Sequence, residues 1–245
     1  MSKISIIIPI LNEAKTIGKL LQYLIDNISK KNSLEIIVID GGSSDNSKEI
    51  IQTFCKKEKG FESSSRLQGH LIKLITSSKG RAKQMNLGAK QARGNILYFL
   101  HADSFPPKNF DQLIVNEVEK GNLAGCFRMQ FENTHLWLQL AGWLTQFRWR
   151  ACRGGDQSQF ITKELFDDIG GFDNNYIIYE DNILINELYK RNEFVVINKK
   201  LKTSARRYEE HGVWKLQYHF WTIYVKKMFG ASANELHIYY KKYIT

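Results

Sequence analysis

The sequence predicts an α/β fold: a mostly parallel central sheet covered by helices on both faces. Three observations carry that expectation. Short β-branched runs recur through the first hundred residues, segments with helical apolar spacing fall between them, and the runs are apolar throughout instead of alternating. Strands that are buried on both faces have that last property, and their alternation with helices makes the sheet parallel.

The elements follow in order. SIIIPIL, Ser5 to Leu11, is a buried strand bounded by polar residues. Ile17, Leu20, Leu21, Leu24, Ile25 and Ile28 recur on one face of a helix. LEIIVID, Leu34 to Asp40, is a second buried strand, GGSSDNS is a turn, and Ser47 to Phe54 is a helix. His70 to Ser77 is a weaker third strand, Gly80 to Ala92 a helix, and NILYFLHAD a fourth strand ending on Asp103. Past Phe105 the alternation blurs. Asp111 to Lys120 and the aromatic Leu136 to Arg150 are expected helices, Ala124 to Phe131 a strand, and Asn182 to Lys190 a helix opened by Glu180-Asp181. The expected organisation is one domain over residues 1–212, with a nucleotide-binding half (1–104) and an acceptor half (105–212). A basic, aromatic helical tail over 213–245 packs on it or lies on a membrane surface.

Composition narrows the class. The chain has 245 residues, 43% hydrophobic and 24% charged, enough to bury a core without disulfides. The three cysteines, Cys55, Cys126 and Cys152, form no CxxC pair and suit free, buried thiols in a reducing compartment. The expected location is therefore the cytoplasm, with the inner membrane face as a peripheral site. The apolar run after Lys3 is too short for a secretory signal, and no stretch reaches the roughly 20 apolar residues of a bilayer span. The net charge is +10, and from Lys199 to Thr245 ten Lys/Arg face three Glu. Such a tail attracts phosphate of any origin. No zinc-finger spacing, ribonucleoprotein motif or helix-turn-helix signature points to nucleic acid.

Three predicted strands end in polar clusters: Leu11-Asn12-Glu13, Asp40-Gly41-Gly42-Ser43 and His101-Ala102-Asp103. Each alone could be a turn or a helix cap. Together, at the carboxyl ends of parallel strands, they form a rim of the kind that binds ligands. Neither GxGxxG nor GxxxxGK[ST] occurs, so phosphate must be held another way. A divalent cation on Asp103, with Arg81 and Lys83 adding charge, would serve.

In this order the residues resemble a family 2 glycosyltransferase of the GT-A type. SIIIPILNE is similar to that family's start, IIVIDGGSSDNS to its second strand and turn, LHADS to its DXD region with His101 in place of the first Asp, and GGFDNNYIIYEDNILINEL to its GGF…ED segment. Together with GRAKQMNLGA, GGDQSQF and TSARRYEEHG, they also resemble a compact bacterial subgroup described as radical-SAM-associated or arsenosugar-type. The resemblance covers roughly residues 4 to 212. It implies a Rossmann-like nucleotide-binding half and inverting transfer of a sugar from a nucleotide-diphosphate donor to a hydroxyl acceptor of unknown identity. It implies that Asp40 binds the nucleobase, expected to be uracil, while Pro9, Asn12 and Glu13 line the base and ribose pocket and Ala102 lies beside them. Arg81 would lie near the diphosphate, and Asp103 would hold Mn²⁺ or Mg²⁺. Asp181 would be the general base with Glu180 beside it, and Gly155-Asp156-Gln157 would face the acceptor. With one DXD carboxylate replaced, His211 as a ligand or Arg206-Arg207 as a charge clamp would compensate. A sugar nucleotidyltransferase and an inactive transferase-fold protein remain as alternatives.

Overall fold

The computed structural model describes residues 4–29, 34–57, 71–154 and 157–244. In chain order the elements are β1 (Ile4–Ile10), α1 (Ile17–Asn27), β2 (Leu34–Asp40), α2 (Ser47–Lys57), β3 (Leu71–Thr76), α3 (Arg81–Gln91) and β4 (Ile96–Phe99). There follow β5 (Ser104–Phe105), α4 (Phe110–Glu119), β6 (Ala124–Phe131), α5 (Leu136–Leu144), β7 (Gln159–Thr162), α6 (Lys163–Ile169) and α7 (Glu180–Lys190). The chain closes with β8 (Val195–Thr203), α8 (Arg206–His211), α9 (Val213–Met228) and α10 (Ala233–Tyr243).

Among the described residues eight strands make one mixed sheet in the order β3-β2-β1-β4-β7-β6-β8-β5. The pairs β1–β2, β1–β4, β2–β3 and β6–β8 are parallel, while β7 runs antiparallel to β4 and β6 and turns the sheet into its second half. One apolar layer packs the faces of α1, α2 and α4 onto β1, β2 and β4. The other packs α3, α6 and α7 onto the opposite face. The five buried side chains of α1 each contribute on the order of 1.5–3 kcal/mol by leaving water. On the second face Gly88 lets α3 approach the sheet closely: a Cβ there would lie 2.4 Å from Ile7 Cγ2.

The fourth strand is shorter than its apolar run predicts. It ends at Phe99, although Leu100 N still donates to Ile7 O at 3.0 Å. Ser104 N then donates to His101 O at 3.2 Å, closing a turn with Ala102 and Asp103 at its corner. Leu100 and Ala102 stay buried beyond the ladder, so the apolar pattern outlasts the strand. The aromatic helix expected to reach Arg150 stops at Leu144, where Thr145 Oγ1 donates back to Gly142 O and accepts from Met129 N. Conversely, α7 begins two residues before the predicted Asn182, after Tyr179 in the left-handed region at φ 72°. Of the cysteines, all free, Cys126 is buried while Cys55 and Cys152 are half-buried.

Strand β2 conceals a charge that its apolar pattern does not advertise. Glu35 is buried and accepts from Ser5 Oγ at 2.6 Å, Arg93 N at 2.8 Å and Lys73 Nζ at 2.6 Å. Burial alone would raise its carboxyl. The hydrogen bonds from Arg93, Lys73 and Ser5 outweigh burial and hold it below the ordinary glutamate value. A lowered folded value means that this contribution is present above the unfolded pKa of about 4.3 and is lost as pH falls through the folded one. Glu35→Ala is expected to cost about 1–3 kcal/mol at neutral pH, because it leaves the buried Ser5 hydroxyl and the partly buried Arg93 N–H and Lys73 ammonium without their acceptor. Chemical denaturation should also show a shallower loss of stability on acidification than in the parent. A parent-like denaturation midpoint would contradict this reading.

Candidate active site

The carboxyl ends of β1 and β2 are laced together by backbone donors and short side chains. Asn12 N donates to Ser43 Oγ (2.9 Å), Ser44 N to Asn12 Oδ1 (2.8 Å), Glu13 N to Ser47 Oγ (2.9 Å) and Ala14 N to Asp45 Oδ2 (3.0 Å). Asn12 adopts φ 58°, a conformation that asparagine tolerates better than most residues. Glu13 Oε2 accepts from Thr16 Oγ1 at 2.8 Å, and Arg206 Nη2 lies 3.9 Å from Glu13 Oε1. Asp40 is fully buried and accepts from Ser43 N at 3.0 Å and Gly42 N at 3.1 Å, with Lys48 Nζ 3.6 Å away. Burial would raise this carboxyl, but the Ser43 and Gly42 hydrogen bonds and Lys48 hold it below the usual aspartate value. Asp40 thus remains an anion that builds its own turn, and Gly42 at φ 96° supplies the backbone angle.

Helix α3 joins the two halves of the site through residues that sequence reasoning missed. Gln84 is buried and donates from Nε2 to Ile10 O (2.9 Å) and Ile39 O (2.7 Å), tying the ends of β1 and β2. Gly41 clears it: a Cβ at that position would meet the Gln84 amide at 3.0 Å. Asn86 pairs with the backbone of Phe172, accepting its N–H at 3.0 Å and donating to its carbonyl at 2.8 Å. That contact fastens the Gly170-Gly171-Phe172 turn to α3. The available sequence signal was a polar Gln three residues after Arg81 and four before Gly88, at helical spacing from both.

Arg81 opens α3. Expected beside a diphosphate, it reaches Glu180 Oε1 through Nε and Asp181 Oδ2 through Nη2, the latter at 2.9 Å. The physical reason is the burial of the acids: Glu180 is fully buried and Asp181 nearly so, and two adjacent carboxylates there need a counter-charge. Burial pushes the Glu180 carboxyl up, Arg81 opposes it, and Asp181 adds to the rise. Glu180 Oε2 is buried with no hydrogen-bond partner. Asn182, next in the chain, is held by Arg150, whose Nη2 donates to Asn182 O (3.2 Å) and Oδ1 (3.0 Å).

One cleft gathers Pro9, His101, Gln157 and Asp181, with Met85 and Phe99 in its wall. It therefore unites residues from β1, the β4–β5 turn, the segment before β7 and the first turn of α7. Gln157 is fixed by Arg153, a buried guanidinium that donates to Gln157 Oε1 (3.1 Å), Phe147 O (2.6 Å) and Cys126 Sγ (3.2 Å). Burial pushes the Cys126 thiol up, against the pull of Arg153. Gly155 and Asp156 lie outside the described residues. Ala102 is in the core, and Asp103 is half-buried at the turn corner. His211 ends α8, while Arg207 turns to the tail, donating to Tyr240 Oη at 2.6 Å. Among the described residues no three His, Cys, Asp or Glu side chains converge as a metal-binding group. Asp103 offers a single oxygen-donor side chain, which suits a hard cation that completes its shell with phosphate oxygens and water.

Comparison with known proteins agrees with this arrangement. The profile "Glycosyl transferase family 2" matches residues 5–173. "Probable glycosyltransferase YdaM" of Bacillus subtilis (strain 168) is 24% identical over 201 residues, 76% of this chain and 46% of that protein. The chain spans less than half the length of the curated relatives it matches. Among solved structures, S. aureus TarS 1-349 in complex with UDP superposes with a TM-score of 0.62 at 19% identity, covering 83% of this chain and 60% of that one. Mannosyltransferase PcManGT from Pyrobaculum calidifontis in complex with GDP-Man and Mn²⁺ gives 0.69 at 14% identity, covering 97% and 69%. The mixed sheet with its parallel first half, the helices on both faces and the matched profile make this chain a member of glycosyl transferase family 2 with a GT-A type fold.

Proposed function

We propose that the protein is an inverting glycosyltransferase that moves a sugar from a nucleoside-diphosphate donor, a UDP-sugar in the first instance, to an acceptor hydroxyl. The observation that carries the reading is that Asp181, held by Arg81, lines the same small pocket as Pro9, His101 and Gln157. In the proposed reaction the acceptor oxygen attacks the anomeric carbon, the bond from that carbon to the diphosphate breaks, and the hydroxyl proton passes to Asp181. Attack opposite the leaving group inverts the anomeric configuration. Asp40 and the Asn12–Glu13 loop take the nucleoside, and Gln157 lies on the acceptor side. Asp103 would hold Mn²⁺ or Mg²⁺, which when bound offsets the charge building on the diphosphate. TarS and PcManGT, solved with UDP and with GDP-Man and Mn²⁺, support a nucleotide donor and a divalent cation.

The reading is tested by supplying UDP-sugars with Mn²⁺ in one reaction, and UTP with sugar 1-phosphates in another. Release of UDP in the first is expected. Release of pyrophosphate in the second, with none of UDP in the first, would make the protein a nucleotidyltransferase instead. A transferred sugar that retains the donor's anomeric configuration, read by proton NMR, would remove the inverting mechanism.

Arg81 supplies a pH-dependent prediction. In Arg81→Met the main influence that lowers Glu180 is lost, and burial and the neighbouring Asp181 raise it against a backbone hydrogen bond alone. Glu180 should then stay protonated to higher pH, and the acid limb of the kcat/KM profile should move to higher pH. A limb that does not move would mean that Arg81 does not set the charge of the pair.

A further inference from the structure

Helices α5 and α9 expose apolar side chains on the side turned away from the core. On α9 the outward stripe is Trp214, Tyr218, Trp221, Val225 and Met228, at a helical spacing of three and four residues, while Leu216 and Ile223 face inward. Met228 and the following Phe229 are 77% and 81% exposed. On α5 the stripe is Leu136, Leu140 and Trp143, with Leu136 82% exposed, and it runs on to the exposed Trp149. The two helices meet at the half-buried Trp137 of α5, whose ring lies 5.5 Å from that of Trp214 and 5.7 Å from that of Trp221. A contiguous exposed apolar surface of this kind marks a binding face.

Charge identifies the occupant. Neither 136–155 nor 211–234 contains a single Asp or Glu, while Arg148, Lys215 and Lys226 stand exposed along the stripes. A second copy of the chain would set one cationic tail against another and bury like charges. A bilayer with anionic headgroups is complementary, and Trp and Tyr beside Lys and Arg are the side chains that settle at its interface. Among the described residues no helix is long and apolar enough to cross a membrane, so the contact would lie in the interface plane. The surface is also coupled to the cleft: Tyr224 of α9 donates to Asn182 Oδ1 at 3.3 Å, next to Asp181.

We infer that the α5–α9 face docks the protein on an anionic membrane surface. The inference is independent of the transfer chemistry proposed above. Its test is flotation of the purified chain with vesicles of phosphatidylcholine alone and of phosphatidylcholine with phosphatidylglycerol, together with tryptophan emission. Expected are flotation with the anionic vesicles, weakened by salt, and a blue shift of emission. The paired substitutions Met228→Ser and Phe229→Ser should lower the bound fraction by about tenfold, and so, independently, should Trp143→Ser on α5. Lys215→Glu should weaken binding to the anionic vesicles, and an unchanged thermal midpoint would show that each variant folds. No flotation at low salt, or variants that bind like the parent, would overturn the inference. So would a concentration-dependent dimer that the same substitutions dissociate, since a second copy would then cover the face.

Discussion

Asp181→Asn is expected to lower kcat by about 10²–10⁴-fold while leaving donor binding close to that of the parent. The side chain keeps its shape and an oxygen for Arg81 Nη2 to reach, so what disappears is the ability to take a proton. The first turn of α7 should stay in place, because Arg150 holds Asn182 independently and Tyr224 touches the same side chain. Steady-state kinetics with saturating donor, beside a thermal melt, would read both quantities. A fall in kcat below tenfold with the fold intact would remove Asp181 from the general-base role. Unaltered turnover accompanied by a large loss of stability would return it to helix capping.

The second large effect falls on Asp103. Asp103→Asn is expected to reduce kcat/KM by about 10²–10³-fold and to abolish its dependence on added Mn²⁺. The residue occupies a turn corner whose backbone closure, Ser104 N to His101 O, does not involve its side chain, so the fold should survive the change. With His101 where a second carboxylate would stand, no neighbouring acid in the motif can replace it. Activity that stays metal-dependent in the variant would place the cation elsewhere.

What the sequence disclosed was what local pattern can carry. β1, β2 and α3 were legible because their runs are apolar on both faces or follow a helical period, and the three polar clusters stood out after β1, β2 and β4. Pattern was weaker for β4, since Leu100 and Ala102 are buried without belonging to the ladder. The second half escaped because β7 is four residues long, α6 follows it directly, and β8 mixes lysines into its outward positions. Partnerships between distant residues were not legible. Arg81 and the Glu180–Asp181 pair stand about a hundred positions apart, as do Asn86 and the glycine turn to a similar degree. Glu35 looked like one charge in an apolar run, and only the folded sheet brings Ser5, Lys73 and Arg93 to it. In the tail both faces of α9 are apolar, so the period announced the helix but not which side the core would take.

The most direct test of the account is calorimetric titration of UDP and GDP into the purified protein, with and without Mn²⁺, alongside Asp103→Asn. UDP is expected to bind, Mn²⁺ to strengthen the binding, and the strengthening to be lost in the variant. Binding of neither nucleotide with or without the metal would contradict the donor site as drawn and leave the His101–Ser104 turn as a structural corner alone.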